Sequence, residues 1–411
     1  MEADDDDGAG WLQPGVVGIG AASLLADIGH EIPTSLLPSL LTATLGAPAS
    51  ALGAIEGVSD ALAGIGRLAG GALADEPGRR RSVAVGGYAT TAVLSAGLGS
   101  VTATWQAALL RAGAWTARGL RVPARNALLA DVVPPEAYGR AYGFERSMDN
   151  LGAILGPLAA IGLVAAVGTR WAIGLSVVPG LLAALAIVYA IRRTPAPAAR
   201  AREPLRIRIR PVLDGGLRPL FAGIAAFELG NCAATLLILR ATELLEPGRS
   251  DDAATRTALG LYVAYNAAAT LTSLLAGRAS DRSGPDRVLL FGIAMFAFAY
   301  LGFGQESTAW VALLPWFVLA GVGIGCVETA EHAAVAAHAP ADLRGSAFGL
   351  LAAVQSVGNL AASAVAGVLW TAASPSWAFA YLAAWMVLAA AGLGWAWRDR
   401  SRSVKIHVDG D

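Results

Sequence analysis

The sequence predicts an all-α membrane protein of about twelve spanning helices, arranged as two pseudo-symmetric six-helix bundles. Three observations predict it: scarce charge, recurrent uncharged stretches and an internal repeat. Of 411 residues, 55% are hydrophobic and only 15% charged, against about 25% in soluble domains. Those charges are too few to coat two or three soluble domains. A spanning helix needs about 20 mostly apolar residues to cross the hydrocarbon. Residues 32–55, 82–110, 150–169, 171–191, 257–277, 307–327 and 345–397 contain no Asp, Glu, Lys or Arg, and the last run is long enough for two spans, with a turn at Ser374-Pro375.

Splitting the chain at Gly, Pro and charge clusters places spans near 15–42, 49–74, 82–103, 105–130, 141–168, 171–192, 217–243, 256–279, 286–305, 309–336, 344–371 and 376–397. Around them lie an acidic tail (1–14), an amino-terminal bundle (15–192), a linker (193–216), a carboxy-terminal bundle (217–397) and a second tail (398–411). The acidic start lacks the basic region of a cleavable signal peptide. Arg79–Arg81, Arg140, the arginines of 192–218, Arg278–Arg287, Arg344 and the 398–405 stretch fall on one side of this topology. The positive-inside rule makes that side cytoplasmic, with both termini, in the cell inner membrane. Arg206, Arg208 and Arg210 alternate with Ile207 and Ile209 in the linker, a pattern for anionic lipid or for a solvated basic loop.

The chain repeats itself at an offset of 206 residues. Gly71, Asp75, Gly78 and Arg81 recur as Gly277, Asp281, Gly284 and Arg287. Pro134, Gly139, Ala141, Gly143 and Gly152 recur as Pro340, Gly345, Ala347, Gly349 and Gly358. A parallel repeat of six-helix halves implies a substrate pathway near the bilayer midplane, opened alternately to each side.

Between the second and third spans the chain reads Gly71-Ala-Leu-Ala-Asp75-Glu-Pro-Gly78-Arg79-Arg80-Arg81, with a degraded copy around Asp281 and Arg282. This resembles the signature loop of the major facilitator superfamily, and the resemblance covers essentially the whole chain. It implies a gating loop made of Gly71, Asp75, Gly78, Arg79, Arg80, Asp281 and Arg282. Asp75 would accept bonds from a neighbouring helix N-terminus or an Arg; the glycines would make the turn, and the arginines would hold the cytoplasmic face. The fifth span carries Gly143, Gly152, Gly156 and Pro157, then Ala160 and Ile161. It is similar to the antiporter motif of drug–proton exchangers in that superfamily, which has glycines at the last two positions. Small residues at this spacing open a groove for a facing helix, and Pro157 permits a bend.

Ionisable residues inside spans are costly and mark functional positions. Asp27 and Glu31 lie four apart, with His30 alongside; Glu56 and Asp60 are likewise four apart. Arg111, Arg118 and Arg125 form a stripe with Arg121 close by, Glu228 sits in the seventh span, and Glu328, Glu331 and His332 sit in the tenth. On the family analogy, Asp27, Glu31, Arg111, Arg118, Glu228 and Glu328 line the cavity. Together with Glu56 and Asp60 they are the candidates for substrate binding and proton coupling, a desolvated carboxylate being able to load and release a proton. Each charge also fits an intramembrane ion pair that fixes packing.

At the offset of 206, Asp27 maps to Ala233, Glu31 to Leu237, Glu56 to Tyr262, Asp60 to Asn266, Arg111 to Phe317 and Arg118 to Ile324. Coupling chemistry is therefore expected in the amino-terminal half, and an apolar, aromatic wall in the other. Arg67, Arg121 and Arg125 are expected to snorkel to the interface. Glu145, Arg146 and Asp149 are expected by the cytoplasmic loop, and His332 and His338 at the interface.

There is no G-x-x-x-x-G-K-[ST] loop, H-E-x-x-H, C-x-x-C or nucleophile elbow, so ATP drive, cofactor, metal and enzymatic chemistry are unsupported. Cys232 and Cys326 have no metal spacing, and no basic soluble domain offers itself to nucleic acid. The partners implied are a small-molecule substrate, protons and the lipid bilayer, with the chain monomeric. Three readings stay open: proton-coupled efflux by antiport, proton symport importing an anionic metabolite on Arg111 and Arg118, and a membrane-embedded enzyme or sensor on a transporter-like scaffold.

Overall fold

The computed structural model describes residues 10–194, 206–247 and 249–408. The expected tails and linker therefore fall partly outside the described residues, at 1–9, 195–205 and 409–411. Among the described residues the structure is helical and contains no strand. The helices are α1 (Pro14–Ser39), α2 (Ala49–Ala74), α3 (Pro77–Gly97), α4 (Thr104–Val132), α5 (Tyr138–Val167), α6 (Thr169–Leu175), α7 (Val177–Arg193), α8 (Ile209–Val212), α9 (Arg218–Glu228), α10 (Ala234–Leu245), α11 (Asp251–Ser283), α12 (Pro285–Phe303), α13 (Trp310–His338), α14 (Arg344–Ala372) and α15 (Pro375–Val408). Proline sets the first turn of α1, α3 and α12, where its missing N–H costs nothing. Gly168 and Gly284, at φ +80° and +88°, turn the chain between α5 and α6 and between α11 and α12.

Eight stretches of the described helices are long and apolar enough to cross a membrane. The other expected spans fall short for physical reasons. Both α2 and α4 carry charges along their length. Residues 82–97 of α3 are rich in Gly, Ser and Thr. The expected continuous span 217–243 is broken into α9 and α10 at Leu229–Ala233. Side chains of α14 and α15 repair that break: Asn359 Nδ2 donates to Asn231 O (2.8 Å), Ala233 N donates to Ser363 Oγ (2.9 Å), and Tyr381 Oη donates to Leu229 O (3.2 Å). Freed backbone groups can be held in hydrocarbon only in this way. The sixth span is likewise interrupted, at Ser176.

The chain divides into two compact units, Met1–Val212 with Val335–Ala353, and Leu213–Ala334 with Val354–Asp411. In the first, α1 packs on α5 and α7, α2 on α4, and α3 on α4 and α7; in the second, α9 and α12 pack on α15, and α10 on α11. Lipid-type side chains face outward, as Leu158 and Leu185 do in the first unit and Leu271 and Leu360 in the second.

Glycine contacts show the repeat inside each unit. Gly119 of α4 abuts Ala63 O, and Gly325 of α13 abuts Ala269 O, both pairs related by the offset of 206. The first helix of each unit departs from it. Gly29 abuts Gly180, whereas Gly230 abuts Met386; Gly152 abuts Asp27, whereas Gly358 abuts Glu228. The helix pair α1 and α9 is thus related by 201 residues, as from Asp27 to Glu228. The mapping of Asp27 onto Ala233 is corrected here: Glu228 holds the place of Asp27, and Asn231 the place of His30.

The segment 335–353 belongs to the first unit and packs on residues 71–75. Gly71 meets Gly345 O and Gly349 Cα so closely that a Cβ there would lie 2.7 and 2.8 Å from them. Asp75 accepts bonds from Ser346 N (2.7 Å) and Ser346 Oγ (2.5 Å), at the first turn of α14. Burial pushes the Asp75 carboxyl above its ordinary value, and the two Ser346 bonds oppose the rise. Arg80 is buried, donating to Ala74 O (2.7 Å) and paired with Asp131. Arg344 reaches Tyr138 Oη (2.8 Å). One expectation is corrected: Gly78 does not make the turn, since it sits in the first turn of α3; Arg80 bonds the last carbonyl of α2.

Two predictions follow from this packing. Gly156→Leu drives a side chain into Glu31 on α1, and overpacking of this kind costs about 1–3 kcal/mol. Gly162→Leu, a position with open space around it, is the neutral control; thermal unfolding in detergent measures both. A carboxyl whose value is raised by folding contributes stability that is full below its unfolded value and lost as pH rises through its folded one. The stability of wild type relative to Asp75→Asn therefore grows as pH falls from neutral through the raised value. Ser346→Ala removes a lowering bond and moves that window to higher pH, as thermal melts across pH report.

Candidate functional site

The interior of the first unit brings together side chains from α1, α2 and α4. Asp27 is 5% exposed and His30 3%. His30 Nδ1 lies 3.3 Å from Asp27 Oδ1, within ion-pair range but not aligned as a hydrogen bond. His30 Nε2 lies 3.2 Å from Glu31 and 2.7 Å from Arg118 Nη1. Arg118 Nη2 reaches Asp27 at 3.5 Å. His30 thus joins both carboxylates to one arginine, because residues 27, 30 and 31 share a face of α1.

Trp115 carries the network towards α2. Arg111 lies over its indole, 3.3 Å from the ring centroid, and pairs with Glu56 at 2.9 Å. Arg111 Nη1 also donates to Thr34 Oγ1 (3.0 Å). Trp115 Nε1 donates to Asp60 (2.9 Å), and its ring meets His30 edge-on at 5.5 Å. Six of the eight candidate site residues therefore belong to one connected assembly: Asp27, Glu31, Glu56, Asp60, Arg111 and Arg118. Its platform, Trp115, was missed by sequence reasoning, although it stands between Arg111 and Arg118 at helical spacing.

A second cluster lies deeper. Arg125 meets Glu145 at 2.8 Å, Asp149 at 3.5 Å and Ser23 Oγ at 2.8 Å, and Arg146 meets Glu145 at 2.7 Å and Asp149 at 3.1 Å. Arg121 and Arg125 are 2% and 5% exposed, so neither snorkels. Glu145 and Arg146 are buried too, inside α5. Hydrocarbon makes an unpaired charge costly, and Arg125, Glu145, Arg146 and Asp149 meet that cost by pairing with one another.

The four residues of the fifth-span motif lie on α5. Gly143, Gly152 and Gly156 are buried. A Cβ at Gly152 would lie 2.7 Å from Asp27 Cβ, and Gly156 presses on Glu31 Cβ. Ala160 continues the buried stripe, while Ile161 is 69% exposed. Large Ile161 is accommodated because it points away from the α1–α5 contact.

In the second unit Glu228 is buried and accepts a bond from Asn231 Nδ2 (3.0 Å). Glu328 is half-buried on α13. Glu331, on the same helix, is fully buried and accepts from Gln355 Nε2 (2.9 Å). His332 is also buried, its Nδ1 2.7 Å from Glu328 O, so it is not interfacial. Phe227, Phe296, Tyr300, Phe303 and Phe379 are buried in mutual contact, an aromatic cluster within the second unit. Asp281 and Arg282 lie in the last turn of α11. Among the described residues, no group of three or more His, Cys, Asp or Glu is placed to hold a metal ion.

Comparison with known proteins agrees with this architecture. The chain is 27% identical over 377 residues to an MFS-type transporter of Methanocaldococcus jannaschii, covering 90% of this chain and 92% of that one. It is 27% identical over 325 residues to the multidrug resistance protein MdtG of Dickeya zeae, covering 78% and 76%. Among solved structures, a bacterial homologue of the iron transporter ferroportin in its outward-facing state superimposes with TM-score 0.75 at 16% identity, over 94% of this chain and 99% of that one. The family model of the Major Facilitator Superfamily matches residues 19–244 and 249–409, and the chain, a multi-pass membrane protein, belongs to that transporter family.

Proposed function

We propose that this transporter exports a small organic compound in exchange for protons. The observation that supports the reading is the contact between α1 and α5. Two of the three glycines of the antiporter-like motif press on the two carboxylate-bearing residues of α1, Gly152 on Asp27 and Gly156 on Glu31. Any bend of α5 at Pro157 is therefore felt at Asp27 and Glu31, and a proton gained or lost there alters how α1 packs. His30, touching both carboxylates and Arg118, passes charge between them. The likeness to a multidrug resistance protein points the same way.

Import of an anionic metabolite has less support. Arg111 is already neutralised by Glu56, and Arg118 by Asp27, so an incoming anion would have to displace a bound carboxylate. Glu228 and Glu328 are proposed to line the substrate path, and the 71–80 loop, with Asp281 and Arg282, to gate it. In this reading the chain works as a monomer in the inner membrane. Residues 15–192 and 217–397 form its bundles, and both tails and the 193–216 linker lie in the cytoplasm.

Transport of ethidium by cells and by reconstituted vesicles with an imposed pH gradient tests the reading. The wild type is expected to expel ethidium when the gradient is present and to stop when it collapses. Asp27→Asn and Glu31→Gln are each expected to reduce gradient-driven transport at least tenfold while leaving the protein folded. Full gradient-driven transport in both variants would overturn the coupling assignment, and uptake in place of expulsion would overturn the direction.

A further inference from the structure

One arginine of the first unit is left out of the ion-pair network. Arg118 meets Asp27, and Arg125 meets Glu145 and Asp149. Arg121 stands between them on α4, one helical turn from each. It is 2% exposed, and among the described residues it has no carboxylate in ion-pair range. Its Nε and Nη1 are buried without hydrogen-bond partners. Only the ring of Tyr88 faces it, 4.0 Å from the guanidinium carbon to the ring centroid. A guanidinium stays charged in a protein, and an uncompensated buried charge is strongly destabilising. A cation–π contact offsets only part of that.

Arg121 borders a cavity of about 10 Å³ between α1, α3, α4 and α7, lined also by His30, Tyr88, Thr91, Ser95 and Gly180. Tyr88 Oη and Ser95 Oγ are buried and unpartnered as well. The walls are held by close helix contacts: a Cβ at Gly87 would lie 2.5 Å from Arg121 Cβ, and one at Gly180 would lie 2.5 Å from Ala92 Cβ. The space therefore cannot be closed by sliding α3 or α7 inward. It has room for about one water-sized particle, which excludes metabolites.

The unpartnered groups around it are Arg121 Nε and Nη1, which only donate, the hydroxyls of Tyr88 and Ser95, which donate and accept, and His30 Nδ1. A water molecule could bond to the hydroxyls but brings no charge to compensate the guanidinium. A monatomic anion accepts from every side and supplies the missing negative charge. We propose that this cavity binds one chloride-sized monovalent anion, held by Arg121, Tyr88 and Ser95, which neutralises the interior of the α1–α4–α7 contact. The cavity shares His30 as a wall residue with the proposed Asp27 and Glu31 coupling, and its test uses no transport assay, so either reading can fail without the other.

The purified full chain in detergent is melted while gluconate is exchanged for chloride at constant ionic strength. Melting temperature is expected to rise saturably with chloride, and the rise is expected to vanish in Arg121→Gln. Ser95→Ala and Tyr88→Phe, which keep the guanidinium, are expected to raise the half-saturating chloride concentration several-fold. These milder variants decide the question if Arg121→Gln does not fold. An equal melting temperature in chloride and gluconate for the wild type would overturn the proposal, leaving water as the occupant. An undiminished chloride response in Arg121→Gln, or unchanged half-saturation in both milder variants, would also overturn it.

Discussion

A charge placed among hydrocarbon must find its counter-charge within the protein, because lipid offers neither hydrogen bonds nor a high dielectric. The first unit is organised around this constraint. Its α1, α2, α4 and α5 carry the charges; Asp27, Arg111, Arg125 and Glu145 are buried, Glu56 is half-buried and Asp60 is exposed. Arg111 with Glu56, Arg118 with Asp27 and His30, and Arg125 with Glu145 and Asp149 tie α4 to the three other helices. The pairs are also what a transporter can use, since any proton or ligand that joins one of them changes the balance that holds two helices together.

Close packing at glycine makes that balance mechanical. Gly152 and Gly156 let α5 approach the Cβ atoms of Asp27 and Glu31, and Gly358 gives Glu228 the same neighbour in the second unit. Chemistry and packing share one set of atoms on α1, so neither can change alone. The segment 71–80 is packed on similar terms. Gly71 admits the backbone of Gly345 and Gly349, and that approach lets Asp75 receive both the N–H and the hydroxyl of Ser346. The carboxylate there caps the N-terminus of α14, where the helix dipole favours negative charge.

The two units solve the problem of buried polarity differently. In the first, carboxylates meet arginines. In the second, Glu228 and Glu331 meet the amides of Asn231 and Gln355. The five-residue difference in register between α1 and α9 accompanies the break at Leu229–Ala233, where the repeat departs from its offset of 206. Asn359 and Ser363 stabilise that break by bonding the exposed backbone.

The amino-acid order by itself determined the solvent, the helical class, the duplication and the gating and antiporter-like motifs, because these depend on local composition and on fixed spacing. Helical spacing also grouped Asp27 with Glu31, and Arg111 with Arg118, on shared faces, while their direction towards a cavity was implied only by the family resemblance. Which charge pairs with which was decided only by the tertiary structure. The sequence assigned Arg121 and Arg125 to the membrane surface by their distance from the spans' centres, yet the crossing of α4 with α1, α3 and α5 buries both. The roles of Trp115, Glu331 and Ser346 were likewise invisible, because each depends on a partner remote in the chain or on burial that spacing does not report. Distance along a helix is fixed by sequence, whereas the dielectric around a side chain is set by the neighbours that folding brings to it.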